Sequence, residues 1–378
     1  MADSFMNLNF GVGSFSFETF PPGEANDNEW ENKVRSLLES IPTIRDIEFE
    51  GIDSFDAPKT AIHGDWTPDG VLLTPHPCGG SLSYRLNIPT RIQREIVDQI
   101  FPDSRLSGAE SFYVLTHYRG FPVTWVIPEI EASGISRGSQ DVMIVRMFLE
   151  REVERYRPND EIRFTFLSPS PFHCDFALRP SEEELPAPYK LGRIARVGGD
   201  ELMVAYNGST FEDGFQAVPR VSYSLSAELS FFYECERRRE RRGLTVRLLQ
   251  DHADELISMA SAGHKIWASV AGALRSRRIT RALSLQLIIS DYDFRLEKRQ
   301  DEHAWAGISG RSSRLFESEI EEAIGSTFLD DVENMNKIVE LISSRQKRSV
   351  DMGVLFMTAL LTGLIGSIIA IVLTAPSH

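Results

Sequence analysis

Cysteine is scarce in this chain. Its 378 residues include three, Cys78, Cys174 and Cys235. An odd and scattered set excludes a disulfide framework and a paired CxxC metal or redox site, and it fits a reducing compartment. Positive charge is also short. Forty Lys and Arg stand against 55 Asp and Glu, a net charge of -15, so the surface as a whole does not suit a phosphate backbone and no nucleic acid is expected as a partner. The N-terminus, MADSFMNLNFGVGSFSFETFPPGE, lacks a basic segment followed by an apolar run, so no secretory signal is read there. There is no Walker loop, GxGxxG, HExxH, GxSxG or kinase signature. The stretch from Gly192 to Gly199 has the wrong spacing for a dinucleotide loop. With no signature of a familiar reaction, an enzyme is not the expected class, and no cofactor is assigned.

One long hydrophobic run is present. Asp351–His378 reads DMGVLFMTALLTGLIGSIIAIVLTAPSH, with no charged residue between Met352 and Leu373. At about 1.5 Å per residue this run makes a helix of roughly 33 Å, against a bilayer core of about 30 Å. A single C-terminal transmembrane helix is therefore expected, with the lipid bilayer as a partner. Arg345, Lys347 and Arg348 precede the run and His378 follows it, which places the N-terminal body in the cytoplasm by the positive-inside rule. The expected localisation is a single-pass, tail-anchored membrane protein.

The chain divides by texture. Residues 1–26 read as a flexible N-terminus in which Gly, Ser, Asn and Pro interrupt isolated phenylalanines. Residues 27–225 read as a mixed α+β or α/β domain. A helix from Asp27 or Asn28 carries Trp30, Val34, Leu37, Leu38 and Ile41 at helical spacing and ends at Pro42. IRDIEFEGI, VLLTP, FYVLTHY, VTWVI, EIRFTFL, CDFAL and ELMVAYN read as strands, and DVMIVRMFLEREVERY as a helix stopped by Pro158. Residues 226–350 read as a helical bundle and stalk, because strand signals fade and no proline occurs between Pro219 and Pro376. Helices are expected at Ser226–Arg242, Leu244–Ala260, His264–Arg278, Thr280–Trp305 and Arg314–Ile324. A last helix from Ser326 places Val332, Met335, Val339 and Ile342 at a, d, a and d positions. Residues 351–378 form the anchor.

Three constellations are candidates for function. The expected span has a small-residue face, Ala359, Gly363, Gly366, Ser367 and Ala370, with Thr358 and Thr362 beside it; small residues let helices approach closely in lipid. The arginine run ECERRRERRG gathers Arg237, Arg238, Arg241 and Arg242, and Arg277 and Arg278 form a second group. Guanidinium forks suit phosphate, so an anionic small-molecule ligand is one reading. Ion pairing with Glu234, Glu236 and Glu240 along the helix is the other. Finally, His173-Cys-Asp175 and His63-Gly-Asp65 have a spacing that puts two metal ligands on one face of a strand.

The layout of an α/β body, a helical region and a stalk helix running into a C-terminal membrane helix resembles the CorA-type divalent-cation channels, over residues 160–373 and in organisation. Members of that family end in two spans joined by a Gly-Met-Asn signature. Here one span is expected, and Asn334-Met335-Asn336 lies on the stalk, so the family's ion-selecting residues have no counterpart. The resemblance implies a funnel-like homo-oligomer. The function expected from the sequence is a membrane-anchored receptor or effector that oligomerises through its stalk and span and forms or gates an ion channel, for instance in phage defence. The alternatives are a tail-anchored, non-conducting scaffold and a membrane-tethered enzyme using His173 and Asp175.

Overall fold

The computed structural model describes residues 8–19, 27–52, 79–100, 109–118, 121–129, 138–156, 162–167, 175–181, 183–185, 188–196, 199–207, 209–211, 214–261, 266–309, 314–326, 328–344 and 358. They form two compact units. The first comprises residues 1–239 and 300–326, the second residues 240–299 and 327–378.

The first unit is built on a nine-stranded mixed sheet in the order β2-β3-β4-β5-β1-β7-β9-β8, with β6 also paired to β1. The strands are β1 (Leu8–Thr19), β2 (Ile44–Glu50), β3 (Ser81–Asn87), β4 (Ser111–Tyr118), β5 (Pro122–Pro128), β6 (Ile162–Leu167), β7 (Asp175–Pro180), β8 (Tyr189–Arg196) and β9 (Gly199–Tyr206). All pairings are antiparallel except β7 with β9. β1 lies at the centre. Its residues 11–13 pair with β5, 8–10 with β7 and 14–19 with β6. This differs from the loose N-terminus expected from the sequence. FGVGSFSF alternates small and aromatic residues at period two, a strand pattern in which glycine and serine fill the positions where something else approaches closely.

That something is α3 (Gly138–Tyr156). A Cβ built on Gly11 would lie 2.0 Å from the Gly138 carbonyl oxygen, and one on Gly138 would lie 2.1 Å from that of Phe10. Helix and strand backbones therefore touch, and glycine is required on both sides of the contact. With α1 (Asp27–Ser40) and α2 (Thr90–Ile100), α3 covers one sheet face over a core that includes Phe15, Phe17, Trp30, Tyr84, Phe112, Val142 and Phe148. Alternate positions of the same strands, such as Phe10, Val12, Leu115 and Trp125, point to a second core. That core is closed by the first half of α4 (Gly214–Ser261), the end of α5 (Ile266–Ser309) and α6 (Glu317–Gly325). Within it Phe10, Trp125 and Phe176 make mutual ring contacts with centroids 5.2–6.0 Å apart.

The second unit is a three-helix core. Val246, Leu249, Ala253 and Leu256 of α4 meet Leu283, Leu287 and Phe294 of α5. Val332, Met335 and Val339 complete it from α7 (residues 329–344), the residues expected at a and d positions. The helices predicted at Ser226–Arg242 and Leu244–Ala260 are one continuous α4 that runs through Gly243, and those at His264–Arg278 and Thr280–Trp305 are one α5. A single glycine costs a helix only about 1 kcal/mol, which the packing on either side outweighs.

The expected C-terminal transmembrane helix is corrected. Among the described residues no helix is long and apolar enough to cross a membrane. The long helices α4 and α5 carry charged residues throughout, including the run from Arg237 to Arg242 and the stretch Asp291–Arg299. Of residues 351–378 only Thr358 is described, helical and exposed; the rest of the hydrophobic run lies outside the described residues. The fold class is therefore a mixed sheet with helices. The single-pass localisation with a cytoplasmic body and the tail-anchored assignment go with the corrected helix, and the bilayer as partner is left without support.

Candidate functional site

In the sheet unit, Arg237 is partly buried, with Nη2 3.8 Å from Glu18 Oε1 and its guanidinium 5.3 Å from the centre of the Phe121 ring. Glu18 is itself buried on β1 and accepts a hydrogen bond from Thr165 Oγ1 at 3.0 Å. Arg238 bridges Glu234 and the fully buried Asp301 of α5. In the helical unit, Arg241 pairs with Glu297, whose other oxygen is 3.9 Å from Nε of the buried Arg242. A buried guanidinium is tolerated where carboxylates compensate the lost hydration. Each of the four α4 arginines considered for an anion site thus faces a carboxylate of its own chain. Arg277 and Arg278 are exposed on α5. The six residues are divided between the two units, 237 and 238 in one and 241, 242, 277 and 278 in the other.

The metal candidates His63, Asp65 and His173 lie outside the described residues. Asp175 opens β7. Among the described residues no group of three or more His, Cys, Asp or Glu could hold a metal ion. Of the small-residue face, Thr358 is described and exposed, whereas Ala359, Thr362, Gly363, Gly366, Ser367 and Ala370 lie outside the described residues.

A His–Ser pair does occur in the sheet unit. His117 Nε2 on β4 is 2.8 Å from Ser222 Oγ on α4, and the exposed Tyr223 ring stands edge-on to His117 at 6.4 Å. This geometry could serve a nucleophile and its base. Ser222, however, is completely buried, and its hydroxyl also reaches the Pro219 carbonyl one helical turn back, at 3.1 Å. A substrate has no path to that oxygen in this arrangement, so the pair fastens α4 to the sheet.

The feature that packing leaves unexplained lies on α5. Leu283, Leu287, Ser290 and Phe294 are buried, yet Leu285, Ile288, Ile289 and Tyr292 are between 38 and 62 % exposed. At about 100° per residue these four fall in one stripe on the opposite side of the helix from the core. The spacing i, i+3, i+4, i+7 is that of a helix packing on a neighbour, and no described helix covers it. Exposed arginines bracket the stripe, Arg278 and Arg281 before it and Arg295 and Arg299 after it. A hydrogen-bonded pair with Asp291 raises the affinity of Arg295 for its proton. The sequence carried a signal for this face. ALSLQLII is apolar on all sides, and a helix apolar all round is one buried from two directions. No family model matches the chain, and no curated protein or solved structure is found to be similar to it.

Proposed function

We propose that this chain works by binding and self-assembly, with the helical unit as the element through which copies associate. The observation that carries this is the outward stripe Leu285, Ile288, Ile289 and Tyr292 on α5. Isolated exposed apolar residues are ordinary on a protein surface, whereas a contiguous stripe at helical spacing marks a docking surface. Full burial of such a side chain is worth about 2 kcal/mol, so covering the exposed half of four contributes roughly 4 kcal/mol. Association costs about 4 kcal/mol or more in lost freedom. One stripe alone therefore barely offsets that cost, and a two-fold arrangement that covers the stripe of each copy exceeds it.

The test is sedimentation of the full chain and of the variant Ile288→Asp/Tyr292→Asp. The wild type is expected to sediment as an oligomer, and the variant as a monomer with unchanged circular dichroism. A monomeric wild type, or a variant that stays oligomeric, overturns the proposal.

A further inference from the structure

We infer that the surface received by the α5 stripe is the outward face of α4 from a second copy, lying antiparallel to it; this rests on the self-association reading above. Of the other two helices in the unit, α4 alone presents two outward leucines, Leu244 and Leu248, which are 46 and 39 % exposed. The same line of α4 continues with exposed Asp251 and half-buried Glu255 at one end and Arg241 at the other. The corresponding line of α7 offers Asp330, Glu333, Lys337 and a single leucine, Leu341.

The two faces match in spacing and in charge. Along α5 the positions run Arg278, Arg281, Leu285, Ile289, Tyr292. Along α4, read backwards, they run Glu255, Asp251, Leu248, Leu244, Arg241. The steps are three, four, four and three residues on α5 and four, three, four and three on α4, fourteen residues in each case, a mixture of threes and fours that keeps a seam facing its partner helix. Placed antiparallel, Leu285 meets Leu248 and Ile289 meets Leu244. Arg281 then meets Asp251, Arg278 meets Glu255, and the Tyr292 ring meets the Arg241 guanidinium. Among the described residues Arg281, Arg278 and Asp251 have no ion pair within their own chain, and Glu255 pairs with Arg275 at 2.6 Å. The exposed charges of α5 from Arg275 to Arg299 are basic and those of α4 from Asp251 to Asp254 are acidic. A parallel or α5-on-α5 pairing brings arginines together instead, which disfavours it. Across a two-fold axis each copy gives one α4 and one α5, so the α4–α5 contact forms twice.

The test is a charge exchange in the full chain, read by sedimentation equilibrium at low and high salt. Arg281→Glu and Asp251→Arg are each expected to weaken association at least tenfold at low salt, and the double variant to restore it to within threefold of the wild type. All these positions are exposed, and circular dichroism verifies the fold of each variant. A flat series, or single variants that weaken association without rescue in the double, overturns the α4 assignment. If the series is flat while Ile288→Asp/Tyr292→Asp still abolishes the oligomer, self-association through α5 stands and only its partner is wrong. If the wild type is a monomer, both fail.

Discussion

Gly11 of β1 and Gly138 of α3 meet backbone against backbone, closely enough that a Cβ on Gly11 would fall 2.0 Å from the Gly138 carbonyl oxygen and 2.5 Å from the Val142 side chain. The obstruction is main chain, which cannot turn aside as a side chain can. Gly11→Ala and Gly138→Ala should therefore each destabilise the sheet unit by about 3 kcal/mol, the upper range for overpacking. The measurement is the urea midpoint. Gly307→Ala is the control, because a Cβ there meets nothing within 4 Å; it should leave stability unchanged or raise it, as alanine favours the helix.

Asp301 is completely buried beside Arg238. Asp301→Asn keeps the shape and removes the charge, leaving a half-buried guanidinium with Glu234 as its remaining carboxylate. Breaking a buried pair from one side costs about 3 kcal/mol. Arg238→Met/Asp301→Leu, which removes both charges, should lose less than Asp301→Asn alone. Denaturant midpoints of the three variants test the order.

Tyr84, Tyr118 and Tyr233 are buried in the two cores of the sheet unit, and burial pushes each phenol well above its usual range. In the unfolded chain these phenols ionise near pH 10, whereas in the folded unit they stay neutral. Their contribution is fully present below about pH 10 and falls as the pH rises beyond it, because the unfolded state alone then releases protons. Tyrosinate absorbance from these three phenols should appear in a late, cooperative phase coincident with loss of circular dichroism. A single smooth titration with the fold intact would contradict this.

Gln93 on α2 is buried and donates from Nε2 to the Ile88 carbonyl at 2.7 Å and to that of Ala109. Those carbonyls belong to the segments entering the helix and entering β4. Gln93→Leu fills the space and leaves both acceptors without the donor, at a cost of about 2 kcal/mol. Native-state hydrogen exchange should show faster opening around Ala109 and Ser111 than around β5.

The sequence shows the helices more clearly than their limits, and the strands more clearly than their partners. The period of Trp30, Val34, Leu37 and Leu38 locates α1 because one face of that helix is buried. The strand β3 is overlooked because its apolar residues Leu82, Tyr84 and Leu86 stand singly between polar ones and form no apolar run, although all three are buried. Nothing local distinguishes Gly243 from a helix end; packing across it, with the Phe328 ring 3.5 Å from a Cβ built there, decides that α4 continues. The arginine run is conspicuous as a string, but its carboxylates Glu18, Glu297 and Asp301 come from distant elements and leave no mark in the run itself. That the α5 stripe faces outward is not legible, because sequence shows how many sides of a helix are apolar and not which side its own chain covers.

The central position of β1 sets the order of events during synthesis. This strand leaves the ribosome before its partners in β5, β6 and β7, which begin more than a hundred residues later. At roughly 5–20 residues per second it waits on the order of ten seconds with its phenylalanines uncovered. The growing chain thus holds an unpaired, aromatic strand until β5, β6 and β7 have emerged. Chaperones that recognise exposed apolar strands should engage this segment before its partners emerge, and its release should coincide with the emergence of β7.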